Sequence, residues 1–266
     1  MNRIDLVWDQ LFPLEQHRIL QLLVERVVVA PNELQVKLHP SGVENLRREG
    51  VPEEKIHLVG NVMIDTLLKN REKAERSAIL EDMGLSGRPF AVVTLHRPSN
   101  VDDPDMLERI MEVLEEIGRE MAVIFPVHPR TRAMLGNRGT APLLWGQHPI
   151  CPADAASASP HPSLCLIEPL GYLDFLKLMA HARIVLTDSG GIQEETTILK
   201  VPCLTLRENT ERPITVEMGT NRLVGSDPAR ILAAYREVVA GGNEMDTRTP
   251  PLWDGQAAHR IAAIIG

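Results

Sequence analysis

Four short segments set groups that bind or move charge beside residues that shape the backbone. They are Thr94-Leu-His-Arg97, Pro126-Val-His-Pro129, Thr187-Asp-Ser-Gly-Gly191, and Arg212 ahead of Pro213. His96 next to Arg97 joins a proton-switchable ring to a fixed cation, a pair suited to a departing diphosphate. Ser189, Gly190 and Gly191 open a helix directly after a strand, where the first backbone N–H groups have no partner within the helix. The helix dipole favours an anion there, the glycines put no Cβ in its way, and Ser189 adds a hydroxyl donor. Glu195 follows one turn later, within reach of ribose hydroxyls, and Phe175 could stack a base. Each residue also has a plainer reading. Asp188 or Ser189 could cap the helix, Glu195 could complement its dipole, a lone His96 or His128 at a strand end could be structural, and Phe175 could belong to the core.

Convergence onto one edge is what favours chemistry. From Pro89 onward apolar runs at 90–95, 121–127, 164–170, 184–187, 201–206 and 222–224 alternate with helical patterns at 104–120, 172–182, 192–199 and 228–240. Strands alternating with helices of this length predict parallel pairing through right-handed crossovers, hence an α/β fold with a doubly wound, Rossmann-like sheet. In sequence order, His96 ends the first strand of this half, His128 the second, the Ser-Gly-Gly segment the fourth and Arg207 the fifth. Ligands bind outside such carboxyl ends where the strand order reverses. A 3-2-1-4-5 order sets His96 and Ser189 on facing loops of one crevice. Ser226 or Asp227 ahead of Pro228 marks a helix start, Gly241-Gly242 its end, and 257–265 a last helix.

The first sixty-odd residues are thinner. They predict a helix over 14–24, a strand over 26–31, a helix over 41–48, a strand over 55–60 and a helical segment from Met63. Residues 136–163, rich in Pro, Ala, Ser and Gly, read as a surface loop or lid. The chain has 266 residues with 24% charged, a globular composition, and its net charge of -8 argues against nucleic acid or an anionic membrane as partner. Cys151, Cys165 and Cys203 are odd in number and lack metal-site spacing, so neither a disulfide framework nor a zinc site is suggested. No basic n-region, long apolar core or bilayer-length apolar run is present, and the reading is a soluble, cytoplasmic protein.

Taken with Val59-Gly-Asn-Val-Met-Ile-Asp65, Glu168-Pro-Leu-Gly171, Thr187-Asp-Ser-Gly-Gly-Ile-Gln-Glu-Glu195, Arg207-Glu-Asn-Thr-Glu-Arg-Pro213 and Gly219-Thr-Asn221, these segments resemble the non-hydrolysing UDP-N-acetylglucosamine 2-epimerases. The resemblance runs from about Pro13 to Gly225. It implies two Rossmann-like domains in the glycosyltransferase B arrangement. UDP phosphates would lie on Ser189, Gly190 and Gly191, ribose on Glu195, uracil near Phe175, and His96, Arg97, His128 and Arg212 around the diphosphate, with His96 in the catalytic role. The implied reaction inverts C2 of the sugar by elimination and re-addition of UDP, without a metal or other cofactor.

The sequence also departs from the family. No counterpart of the family's first hundred or so residues, with their Gly-Thr-Arg-Pro segment and two acids, is matched here, and the Pro-Glu-Glu segment reads Pro13-Leu14-Glu15. The expected organisation is therefore a remnant of the N-terminal Rossmann-like domain over 1–65, a UDP-binding domain over 66–250 and a C-terminal helix over 251–266. Expected partners are UDP-N-acetylglucosamine or UDP, with a homodimer or a complementing N-terminal polypeptide. Activity of the chain alone is expected to be impaired, and a non-catalytic UDP-binding module or an incomplete gene product is the alternative.

Overall fold

The computed structural model describes residues 26–30, 33–37, 46–136, 164–241 and 248–265. The predicted helix over 14–24, the Pro13-Leu14-Glu15 segment and the loop between Gly136 and Leu164 lie outside the described residues. Strands β1 (Arg26–Ala30) and β2 (Glu33–Lys37) pair antiparallel, Val28 opposite Gln35. The sequence reading had only the first of them. The intervening Pro31-Asn32 is a turn-forming dipeptide and was the available signal.

Downstream come helices α1 (Val62–Ala74) and α2 (Ile79–Asp82), strand β3 (Phe90–Thr94), helices α3 (Pro98–Val101) and α4 (Pro104–Gly118), strand β4 (Ala122–Pro126), helix α5 (Pro129–Gly136) and strand β5 (Leu164–Ile167). They are followed by α6 (Tyr172–Ala180), β6 (Ile184–Thr187), α7 (Gly190–Leu199), β7 (Cys203–Thr205), α8 (Pro213–Glu217), β8 (Asn221–Leu223), α9 (Pro228–Ala240) and α10 (Ala257–Ile265). The six later strands form one sheet in the order β5-β4-β3-β6-β7-β8, every pair parallel. This is the predicted doubly wound α/β sheet, reversing between β3 and β6.

Period-two alternation explains the layers. On β3, Ala91 and Val93 face a core of Leu114, Val123, Phe125, Leu186 and Tyr235. Phe90 and Val92 face the opposite core of Leu67, Ile124, Leu178 and Val185. A sheet buried on both faces requires near-continuous apolar strands, as found here, and truncating one such side chain to alanine costs about 2–5 kcal/mol. Helix starts follow local chemistry. Asp103 accepts from the backbone N–H of Asp105, Asp227 from that of Arg230, and each precedes a proline at the first helical position.

Two expectations are corrected. Residues 55–60 form no strand; a 3-10 turn (Glu53–Lys55) leads into irregular chain. Gly60 there has φ +99, and a Cβ on it would stand 2.1 Å from the Leu252 carbonyl oxygen, so the backbone is pressed against the C-terminal segment instead of a neighbouring strand. Second, Cys165 is disulfide-bonded, while Cys203 is free and buried. Spacing in sequence says little about which thiols the fold brings within bonding distance.

Asp65, from the Val59–Asp65 motif, has an architectural task. Its carboxylate accepts from the backbone N–H groups of Ala257 (3.2 Å) and Ala258 (2.7 Å), capping α10 from α1. Arg260 then reaches the carbonyl oxygen of Val59 at 3.2 Å. Among the described residues, no helix is long and apolar enough to cross a membrane and no group of three His, Cys, Asp or Glu side chains could hold a metal.

Candidate functional site

The register of β3 against β6 puts Thr94 beside Thr187, so the chain leaves both strands at the same point of the carboxyl edge. The two hydroxyls lie 2.6 Å apart, and Thr187 Oγ1 also accepts from the Ser189 backbone N–H at 3.0 Å. Asp188, with no exposed surface, turns its carboxylate across the gap to the loop after β3. It accepts from the backbone N–H groups of His96 (3.0 Å) and Arg97 (2.9 Å) and from Asn100 Nδ2 (3.2 Å). His96 Nδ1 stands 3.0 Å from its other oxygen. Burial pushes the carboxyl of Asp188 up, but His96 and these backbone donors outweigh it and hold the pKa below the ordinary value. Asp188 thus fixes the His96 ring through Nδ1. The capping alternative for Asp188 and Ser189 does not hold, because Ser189 is the N-cap of α7 and makes no side-chain cap bond.

His128 arrives from β4, its ring centroid 5.7 Å from that of His96. Thr131 anchors this corner by donating to the Leu95 carbonyl at 2.6 Å, and the Arg130 backbone N–H donates to His128 Nδ1 at 3.2 Å. Burial, then His96 and Arg130, lower the pKa of His128 against the pull of Asp188.

Beyond β7 the loop carries charge in compensated form. Arg207 grips Glu211 with both terminal nitrogens, at 2.7 and 2.8 Å, and Arg97 approaches the same carboxylate at 3.5 Å. Despite burial, the two arginines bring the pKa of Glu211 down to about 2. Arg97 Nε is buried without a hydrogen-bond partner. Arg212 Nε is 2.6 Å from Glu194, whose pKa burial raises against Arg212 and the Asn61 side chain. A polar cluster beneath supports the loop. Gln193 accepts from Thr210 (2.6 Å) and Asn221 (3.1 Å), Asn221 in turn accepts from Thr205, and Thr210 receives the Arg212 backbone N–H at 2.9 Å. Gly219 is demanded by packing, since a Cβ would meet the Thr197 hydroxyl at 2.3 Å.

Gly190 and Gly191 contrast with it. Neither has positive φ. A Cβ on Gly191 would meet no atom within 4 Å, and one on Gly190 only the ordinary van der Waals neighbours Arg212 and Glu211. Among the described residues, nothing therefore requires glycine at the start of α7. Further along that helix Glu195 is 5% exposed and accepts from the Tyr172 hydroxyl at 3.2 Å. Burial pushes its carboxyl up to about 7, with Tyr172 opposing and Glu194 adding to the shift. Phe175, half-buried, packs with Leu170 and Ile192 against the apolar cluster on this face of the sheet.

The sequence profile of the UDP-N-acetylglucosamine 2-epimerase family matches residues 27–266. The chain belongs to this family. It is 34% identical to the UDP-N-acetylglucosamine 2-epimerase of Methanococcus maripaludis and 35% to that of Methanocaldococcus jannaschii, in each case over 97% of this chain. It spans 65% of the length of both relatives. The crystal structure of the Methanocaldococcus jannaschii enzyme with UDP-GlcNAc and UDP superposes with a TM-score of 0.68 at 36% identity, covering 86% of this chain and 60% of that one. The Neisseria meningitidis enzyme bound to UDP-GlcNAc gives 0.66 at 28% identity, covering 84% of this chain and 58% of that one. The fold of this epimerase-family chain is accordingly that of the glycosyltransferase B-like epimerases.

Of the residues predicted from sequence, the structure brings His96, Arg97 and His128 together at the ends of β3 and β4, and Ser189, Gly190, Gly191 and Arg212 beside them at the start of α7. Glu195 and Phe175 lie further along the same side. Sequence reasoning missed Asp188 as the link to His96, and missed Glu194, Glu211 and Tyr172 as partners of named residues. A charged residue directly after an unbroken apolar strand was the signal for Asp188.

Proposed function

We propose that this chain binds UDP and UDP-N-acetylglucosamine at the carboxyl edge of the sheet. The diphosphate would sit on Ser189, Gly190 and Gly191, with Arg97, His128 and Arg212 around it, ribose on Glu195 and uracil near Phe175. The observation that carries this is the pair of glycines at the start of α7, which neither backbone conformation nor packing among the described residues requires. Ligand chemistry would supply the reason, because backbone N–H groups at a helix N-terminus donate to a phosphate most closely where no side chain intervenes.

The reaction that fits is interconversion of UDP-N-acetylglucosamine and its manno epimer. A base removes the C2 proton, the C1–O bond to UDP breaks, and UDP leaves with the bonding electrons. UDP then re-adds at C1 while a proton returns to the other face of C2. His96, aligned by Asp188, would meet the charge on the departing phosphate with a donor already in place. General acid–base catalysis at C2 needs a group within hydrogen-bond reach of the moving proton. The four carboxylates described in the candidate site are each engaged: Asp188 by His96, Glu194 by Arg212, Glu195 by Tyr172 and Glu211 by Arg207. This favours a second reading, in which these residues form a UDP-binding module and the acids for C2 come from outside them, including from a complementing polypeptide or a homodimer.

The domain division proposed from sequence is adjusted accordingly. Helix α1 runs across 65/66, and Asn61 caps it and opposes the burial of Glu194, so the nucleotide-binding unit is proposed to begin at Asn61. Calorimetry with UDP tests the site, and absence of binding overturns it. An assay of UDP-N-acetylglucosamine turnover by the purified chain separates the readings, since binding with no turnover supports the module and rapid epimerisation rejects it.

A further inference from the structure

Glu195, midway along α7, and Glu211, beside the start of that helix, are held differently. Glu211 receives two nitrogens of one guanidinium, which occupies both of its oxygens. Glu195 receives one phenolic hydroxyl on Oε1 alone, and a phenol has a single proton to donate. The donor, Tyr172, is the first residue of α6 and 40% exposed, whereas the carboxylate it reaches is 5% exposed. An exposed ring turns its hydroxyl inward onto a buried acid and adds no charge that would commit that acid to an ion pair. Phe175 lies three residues along the same helix, hence on the same face as Tyr172. The opening of α6 thus places one ring against α7 and one directional donor on the acid of α7.

We propose that Tyr172 is a positioning residue for the nucleoside end of the site, holding Oε1 of Glu195 so that Oε2 is turned to the ribose hydroxyls. The inference rests on the UDP reading above and names what would set its preference for ribose over deoxyribose. A ribose 2′-hydroxyl meets an acceptor already aligned, while a 2′-deoxy nucleotide leaves it unmet.

The experiment is calorimetry of the full chain and its Tyr172→Phe variant with UDP and with 2′-deoxy-UDP. The unaltered chain is expected to prefer UDP about tenfold, the scale of one hydrogen bond to a charged group. In Y172F the affinity for UDP should fall about fivefold and that for 2′-deoxy-UDP stay as it was, so that the preference shrinks to about twofold. Equal weakening of both nucleotides, or an undiminished preference in Y172F, overturns the role of Tyr172 and leaves the UDP site standing. Binding of neither nucleotide by the unaltered chain overturns the UDP reading itself and this inference with it.

Discussion

Two layers of the candidate site are built on opposite principles. The floor, around Asp188, is made of a fully buried carboxylate held mainly by backbone N–H groups and Asn100, with paired threonine hydroxyls beside it. Backbone donors cannot rotate away, so this layer has one arrangement. The rim, around Arg97, Arg207, Glu211, Glu194 and Arg212, pairs side chain with side chain, and long side chains can exchange partners. A fixed floor under an exchangeable rim is what an anion site needs. The floor sets the position of His96, and the rim keeps its cations neutralised when no anion is bound. Changes in the floor should therefore cost stability, and changes in the rim should alter ligand affinity.

The largest expected effect is on the floor. Asp188→Ala leaves the backbone N–H groups of His96 and Arg97 without their acceptor, and breaking a buried charged contact of this kind costs about 3–5 kcal/mol. Urea denaturation should show a loss on that scale, together with loss of UDP binding. A variant as stable as the parent would mean that the two loops hold together without Asp188.

Glu195, further along α7, gives a pH test. Its carboxyl is raised from the ordinary value of 4.5 to about 7, chiefly by burial. Between those values the folded chain keeps a proton that the unfolded chain has released. This stabilisation is complete below the unfolded pKa and is lost as pH rises through the folded one, up to about 3 kcal/mol in all. Denaturation midpoints at a series of pH values should therefore fall across this window in the parent and stay flatter in Glu195→Gln. Parallel profiles would assign the slope to other groups.

Gly191→Ala isolates the rim from the fold. The added methyl meets no protein atom within 4 Å, and alanine is the better helix former, so stability should hold or rise by up to about 1 kcal/mol. UDP affinity should drop about tenfold, close to 1.4 kcal/mol. A stable variant that binds UDP normally would place the phosphates elsewhere.

The two layers also differ in how legible they are in sequence. The alternation of strands and helices and the glycines of α7 follow from periodicity and from strand-to-helix junctions, which are local signals, and the common 3-2-1-4-5 order of such sheets then sets the edge on which His96, His128 and Ser189 meet. The floor is mostly non-local. Asp188 reaches across 92 residues to His96 and Asn100 across 106 to the Leu206 carbonyl, and no spacing rule marks such pairs. Tyr172 and Glu195, on helices joined through β6, are hidden for the same reason. The expected strand over 55–60 failed differently. Its apolar pattern was genuine, but Gly60 docks on Leu252, a tertiary contact that overrode local preference.

The smallest expected effect probes the compensation at the rim. Glu211 neutralises Arg207 and draws Arg97 toward it, with the Arg97 contact as long as 3.5 Å, so an incoming diphosphate must compete with it for at least one guanidinium. Glu211→Gln removes that competitor and keeps the side chain's shape. UDP should then bind about threefold more tightly at low ionic strength, and the gain should fade toward 1 M salt, where the screening length falls to about 3 Å. Titrations at two salt concentrations check it. Weaker binding in E211Q at low salt would show that Glu211 positions the arginines for the ligand more than it holds them back. The rim would then be as pre-set as the floor, and the distinction between the two layers would disappear.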